Sequence, residues 1–149
     1  MNDLINRLDN LLEIGQHYFT QASDEEVSRK PAPEKWSKKE IVGHLIDSAI
    51  NNLQRFTEIQ FESKPYKIRK YKQAELVKAN SYQNSDIEEI ITFWVAINQR
   101  IKNLIQQQTQ ESLDFKIELD NGQLADLRFL MIDYVDHLEH HINQIKSCN

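Results

Sequence analysis

The chain has 149 residues, a length that suits one domain with one core and that buries about two thirds of the surface of the unfolded chain. With 40% hydrophobic and 28% charged residues but three Gly and three Pro, the composition excludes a disordered chain and a many-stranded β protein. Eighteen Lys and Arg against 23 Asp and Glu, a net charge of -5, exclude a dedicated nucleic-acid binder and point to a small-molecule partner.

Leu4, Ile5, Leu8, Leu11, Leu12, Tyr18 and Phe19 recur at the helical period and predict a first helix from Leu4 to Phe19. His17 points away from that stripe and reads as a solvated surface histidine. The opening residues mix charges into the apolar positions, unlike a signal peptide, and no later run approaches the roughly 20 apolar residues that span a bilayer. A soluble, cytoplasmic protein without membrane contact is expected. Residues 20–35 are polar, contain Pro31 and Pro33, and read as a connector.

Ser37-Lys38-Lys39-Glu40 is a capping box that opens the second helix, with Trp36 placed to staple onto Ile41. Ile41, Val42, Leu45, Ile46, Ala49, Ile50, Leu53 and Phe56 then cover an arc wider than an ordinary core stripe, which offers part of the helix to a second subunit. Residues 60–84 form a long connection, able to span a bundle and set two successive helices parallel, with a short helix over Lys72 to Asn80.

Ser85-Asp86-Ile87-Glu88 reads as a second capping box, and Ile87, Ile90, Ile91, Trp94, Ile97, Ile101 and Leu104 mark a third helix ending near Gln107. Leu113, Phe115, Ile117 and Leu119 alternate with polar residues into Asp120-Asn121-Gly122, a short strand with a turn. Leu127, Leu130, Met131, Tyr134, Val135, Leu138, Ile142 and Ile145 define the fourth helix, before which no capping residue stands out. Cys148 is the single cysteine, so no internal disulfide can form, and it reads as a frayed terminal thiol. The expected fold is all-α: one domain over residues 1–149, an antiparallel four-helix bundle with a long connection between helices two and three and a short β segment before helix four.

Three of the five histidines lie in Asp136-His137-Leu138-Glu139-His140-His141. On a helical wheel His137 and His141 border the apolar face of the fourth helix and His140 faces away. Imidazoles at i and i+4 stack on one face and can share a metal ion, although the same spacing also serves half-buried histidines bonded to carboxylates. A third ligand is available in His44, at the head of a polar stripe with Ser48, Asn51 and Arg55 that borders the core of the second helix. Such a stripe implies a polar cleft, because its groups need water, a ligand or one another as partners.

The sequence resembles the DinB/YfiT superfamily of metal-dependent four-helix-bundle proteins. The resemblance is carried over roughly residues 30 to 146 by Lys35-Trp36-Ser37, by His44 followed by Asp47-Ser48 and Asn51, by Arg55-Phe56, and by the His137 to His141 cluster with Gln144-Ile145. The segment from Lys64-Pro65-Tyr66 to Tyr71 is similar to a loop of the YfiT-like branch. The resemblance implies His44, His137 and His141 as ligands of one divalent metal ion. Where relatives often carry another histidine after the Asp-Ser pair, this chain has Ala49.

Three neutral imidazoles leave a coordination position open, as catalytic sites do, and zinc or nickel suits nitrogen donors. Resemblance to the bacillithiol S-transferases of that branch implies transfer of a low-molecular-weight thiol to an electrophile. Two readings stand beside it: hydrolysis of a small amide or ester, with Asp47 or Asp133 as base, and a non-catalytic homodimeric module with a structural metal. Asp133, better placed than Asp136, is also a candidate to orient a ligand imidazole. Ser48, Asn51 and Arg55 are the expected substrate contacts. The run Lys64, Lys67, Arg69, Lys70 and Lys72 either draws an anion toward the cleft or is a solvated loop.

Overall fold

The computed structural model describes residues 1–147, and Cys148 lies outside them. In chain order the elements are α1 (Asn2–Gln21), α2 (Asp24–Ser28), α3 (Lys38–Glu58), β1 (Tyr66–Lys67), α4 (Gln73–Ala79), a 3-10 turn (Tyr82–Asn84), α5 (Ile87–Gln106), α6 (Gln110–Leu113), β2 (Lys116–Glu118), β3 (Leu124–Asp126) and α7 (Leu127–Ser147). The long helices α1, α3, α5 and α7 form a four-helix bundle. Among the described residues no helix is long and apolar enough to cross a membrane.

Each long helix contributes one apolar face to a shared core, with Leu8, Leu45, Phe56, Trp94, Ile101, Met131 and Leu138 buried at its centre. Burial of a side chain of this size stabilises the fold by roughly 1.5–3 kcal/mol relative to exposure. α1 and α3 each pack on both α5 and α7 and so lie diagonally across the bundle. Cross-bundle contacts give the directions. Asp9 pairs with Lys102 and Gly15 lies against Trp94, so α1 and α5 are antiparallel. Arg7 reaches Asp136 and Glu139 while Gly15 meets Ile142, so α1 and α7 run parallel. His44 stacks on His141 and Phe56 on Tyr134, so α3 and α7 are antiparallel. It follows that α3 and α5 run parallel, and the connection between them travels the length of the bundle.

The capping box of Ser37 and Glu40 is formed, with Ser37 N donating to Glu40 Oε2 at 2.9 Å and Glu40 N to Ser37 Oγ at 3.2 Å. Lys38 and Lys39 are buried in this first turn, where the helix dipole disfavours cations. The acidic α2 offsets that, Glu26 pairing with Lys38 and Asp24 with Lys39, each at 2.9 Å. α2 falls inside the stretch expected to be an irregular connector. Its five residues are too few for a hydrophobic period to register, whereas its Ser23 cap is local and visible.

Asp86, not Ser85, caps α5, its carboxylate accepting from Glu88 N at 3.0 Å. Asp126 Oδ1 accepts from Phe129 N at 2.9 Å and supplies the cap of α7 from the end of β3. Of the expected strand only the stretch around Ile117 forms, as β2, while Leu113 closes α6 instead; β2 belongs to a three-stranded sheet, pairing antiparallel with β3 and parallel with β1. Gly122, at φ 81, makes the hairpin turn in a left-handed conformation that side chains disfavour. The wide apolar arc of α3 is largely filled by its own chain: Ile41, Val42, Leu45, Ile46 and Ala49 are buried, and Ile50 is 43% exposed.

Candidate metal centre

His44 comes from the second turn of α3, and His137 and His141 from successive turns of the antiparallel α7. One nitrogen of each lies within 4.8 Å of the others, and the Nε2 atoms of His44 and His137 are 3.1 Å apart. Tetrahedral zinc with nitrogen ligands at about 2.0–2.1 Å holds them about 3.3–3.4 Å from one another, so the donor set fits a divalent ion after small side-chain adjustments. The three rings stand nearly perpendicular to one another, at 77° to 81°. No carboxylate or thiol completes the cluster among the described residues.

Burial, followed by the charges of its two partners, pushes the His44 imidazole down to about 3. Burial and then His141 and His140 bring His137 down to about 4, and burial also lowers His141. All three imidazoles are therefore neutral at neutral pH, and a cation would need to displace no protons to bind.

Outer contacts set which nitrogen faces inward. His141 Nδ1 donates to Gln144 Oε1 at 2.8 Å, which leaves Nε2 with its lone pair. His137 Nδ1 stands 3.5 Å from Ser48 Oγ, the outer limit of such a bond. His44 Nδ1 is buried without a partner among the described residues, and its ring is held by the Trp36 indole at 5.0 Å. Gln144 orients a ligand by a side-chain bond within one helical turn; its i+3 spacing from His141 was visible in the sequence, its role was not.

His137 opens onto a cleft of about 530 Å³ between α3, α7 and the connection, lined also by Ser48, Asn52, Arg55, Tyr71 and Asp133. Asn51, one residue round the helix, lies outside that lining and donates to the Asp47 carbonyl at 2.8 Å; Asn52 takes the cleft position. Asp47 is buried away from the cleft, its Oδ1 accepting from Tyr82 Oη at 2.7 Å and Asn80 Nδ2 at 2.9 Å. That carboxylate ties the connection to α3. Asp133 lines the cleft one turn before His137, and its pKa is raised by burial and then by Asp136, against the opposing charge of Arg55. Arg55 is half-buried, its Nη2 donating to Arg69 O at 2.5 Å and its guanidinium lying 5.4 Å from the Tyr71 ring centre. His17 and His140 are exposed and take no part in the cluster.

Fold and site together define a four-helix-bundle protein with a three-histidine cluster able to hold a metal ion, one member of which, His137, opens on a polar cleft. The chain belongs to the DinB superfamily, whose sequence profile matches residues 7–145. Comparison with curated proteins finds no match. The fold is similar to that of YfiT from Bacillus subtilis, a probable metal-dependent hydrolase with an unusual four-helix bundle topology, at a TM-score of 0.87 and 20% identity over 98% of this chain and 83% of that one. A mycothiol-dependent maleylpyruvate isomerase is similar at a TM-score of 0.76 and 8% identity, over 97% of this chain and 60% of that one. A DinB-like protein from Bacillus cereus is similar at a TM-score of 0.67 and 16% identity, over 98% of this chain and 88% of that one.

Proposed function

We propose that the protein is a metal-dependent enzyme that joins a low-molecular-weight thiol, of the bacillithiol kind, to a small electrophile, with zinc or nickel held by His44, His137 and His141. The observation that carries this reading is a cluster of three neutral imidazoles with no fourth ligand among the described residues, opening through His137 onto a cleft large enough for a small molecule. Such an ion supplies Lewis acidity, lowering the pKa of a thiol or water brought to it. Gln144 keeps Nε2 of His141 turned inward. In the reaction a sulfur–carbon bond forms, the bond from that carbon to its leaving group breaks, and the thiol proton passes to Asp133 or to solvent. The thiol dependence of one protein of similar fold supports the choice of nucleophile.

Hydrolysis is the second reading, favoured by Asp133, a cleft carboxylate whose raised pKa suits a general base. The test begins with elemental analysis of the wild type beside His44→Ala and His141→Ala, with about one ion per chain expected and its loss in both variants. Thiols, bacillithiol among them, are then offered with a chloroarene or an epoxide. Metal-dependent thioether formation is expected. Ester or amide cleavage without any adduct would replace the thiol reading by the hydrolytic one, and metal-free protein that fails to rebind zinc or nickel would overturn both.

A further inference from the structure

We infer that the cleft beside the metal centre contains a carboxylate subsite formed by Arg55, so that the molecule bound there bears an anionic group remote from its reacting atom. The inference rests on the cleft being the substrate site proposed above, and it names the class of substrate. Arg55 lines the same cleft as His137 and Ser48, yet among the described residues it forms no ion pair. The other cation of the lining, Lys70, is already paired with Asp120 at 2.5 Å. Asp133 lines the cleft as well but stands outside ion-pair distance of the guanidinium.

The guanidinium is also held in place. Arg69 O accepts from Nη2 at 2.5 Å, Asn52 Oδ1 accepts from Nη1 at 3.4 Å, and the Tyr71 ring covers one face at 5.4 Å. Two of five N–H groups are thereby used, and the planar fork of the remainder matches a carboxylate. A cation ordered before binding loses little side-chain entropy when the anion arrives, and a half-buried one gains more from it than an exposed one would. Helical rise separates Ser48 from Arg55 by about 10 Å along α3, so the subsite lies well beyond the coordination sphere of the ion. The anionic group belongs either to the thiol or to its electrophile.

Zinc-loaded protein is titrated calorimetrically with 6-mercaptohexanoate, 6-mercapto-1-hexanol and hexanoate, using wild type, Arg55→Lys and Arg55→Gln. The acid thiol is expected to bind the wild type about tenfold more tightly than the alcohol, the size of one charge-assisted contact. That preference is expected to shrink in Arg55→Lys and vanish in Arg55→Gln. Equal affinity of the two thiols for the wild type overturns the subsite and leaves metal–thiol binding standing. Arg55-dependent binding of hexanoate with no binding of the alcohol sustains the subsite and overturns the thiol reading. Failure of all three probes overturns both. Where the acid preference holds, enzymatic assays that place the carboxylate on the thiol or on the chloroarene (4-chloro-3-nitrobenzoate against 1-chloro-2-nitrobenzene) show which reactant carries it: only the anionic partner's KM rises in Arg55→Gln.

Discussion

At the scale of the residue, the cluster is held as neutral imidazoles by burial, and the consequences are measurable. Each histidine has a folded pKa below the ordinary 6.5, so in acid the unfolded chain binds more protons than the folded one. Metal-free protein is therefore expected to keep this contribution to stability above pH 6.5 and to lose it as pH falls toward about 4 and then 3. Melting temperatures across that range check this, and the slope should be shallower in His44→Gln. Gln144→Leu removes the acceptor that fixes the His141 tautomer. Loss of such an outer contact costs about 10–100-fold in metal affinity, readable by competition with a chelator, and the melting temperature of the metal-free protein should change little because Gln144 is only partly buried.

At the scale of the element, the connection between α3 and α5 builds one wall of the cleft, and its docking is specific. Tyr82 packs over Gly43, where an added Cβ would stand 2.1 Å from the ring, and bonds Asp47 below. Tyr82→Phe leaves a buried carboxylate with one partner fewer. A loss of about 1–3 kcal/mol in denaturant unfolding is expected. Gly43→Ala pushes the ring itself away and should expose the connection to proteolysis before the bundle unfolds, which limited digestion will show. The pairing of β1 with β2 anchors the same connection at its other end, just before Ile68 and Tyr71.

At the scale of the whole molecule, the histidine cluster joins helices that are distant in sequence, so an ion that binds it in the folded chain alone would shift the unfolding equilibrium. With free metal at 100 times Kd the gain is about 2.7 kcal/mol, seen as a higher melting temperature that His44→Ala and His137→Ala abolish. The ion pairs of Arg7 with Asp136 and Glu139 join α1 to α7 as well, but they are partly exposed and contribute little by comparison. With most of the α3 arc filled internally, Ile50 is the residue of that arc most exposed to a second copy; analytical ultracentrifugation of the wild type and Ile50→Glu tests the homodimer that the wide arc led us to expect.

Much of this was legible in the sequence because it is local. A hydrophobic period of 3.6 residues marks each long helix, Ser37 and Glu40 announce the start of α3 three residues apart, and helical geometry brings His137 and His141 to one face; His140 stays out of the cluster as expected, but it lines the same cleft as His137. The polar stripe of α3 pointed to a cleft for the same reason. Short elements escaped: α2 and α6 have too few residues to show a period, and β1 and β3 exist only through pairing with β2. Asn51 belongs to the polar stripe on a wheel, yet the packing of α3 in the bundle puts Asn52, not Asn51, in the cleft. Asp47 looked like a base because its partners Asn80 and Tyr82 lie 33 and 35 residues away. The sequence by itself determined the helices, their buried faces and which histidines could share an ion, since these follow from spacing along one helix. Tertiary structure alone decided that α3 and α5 run parallel, that Asp47 holds the connection while Asp133 faces the cleft, and that Arg55 has no carboxylate partner, because each depends on what another part of the chain brings within a few ångströms.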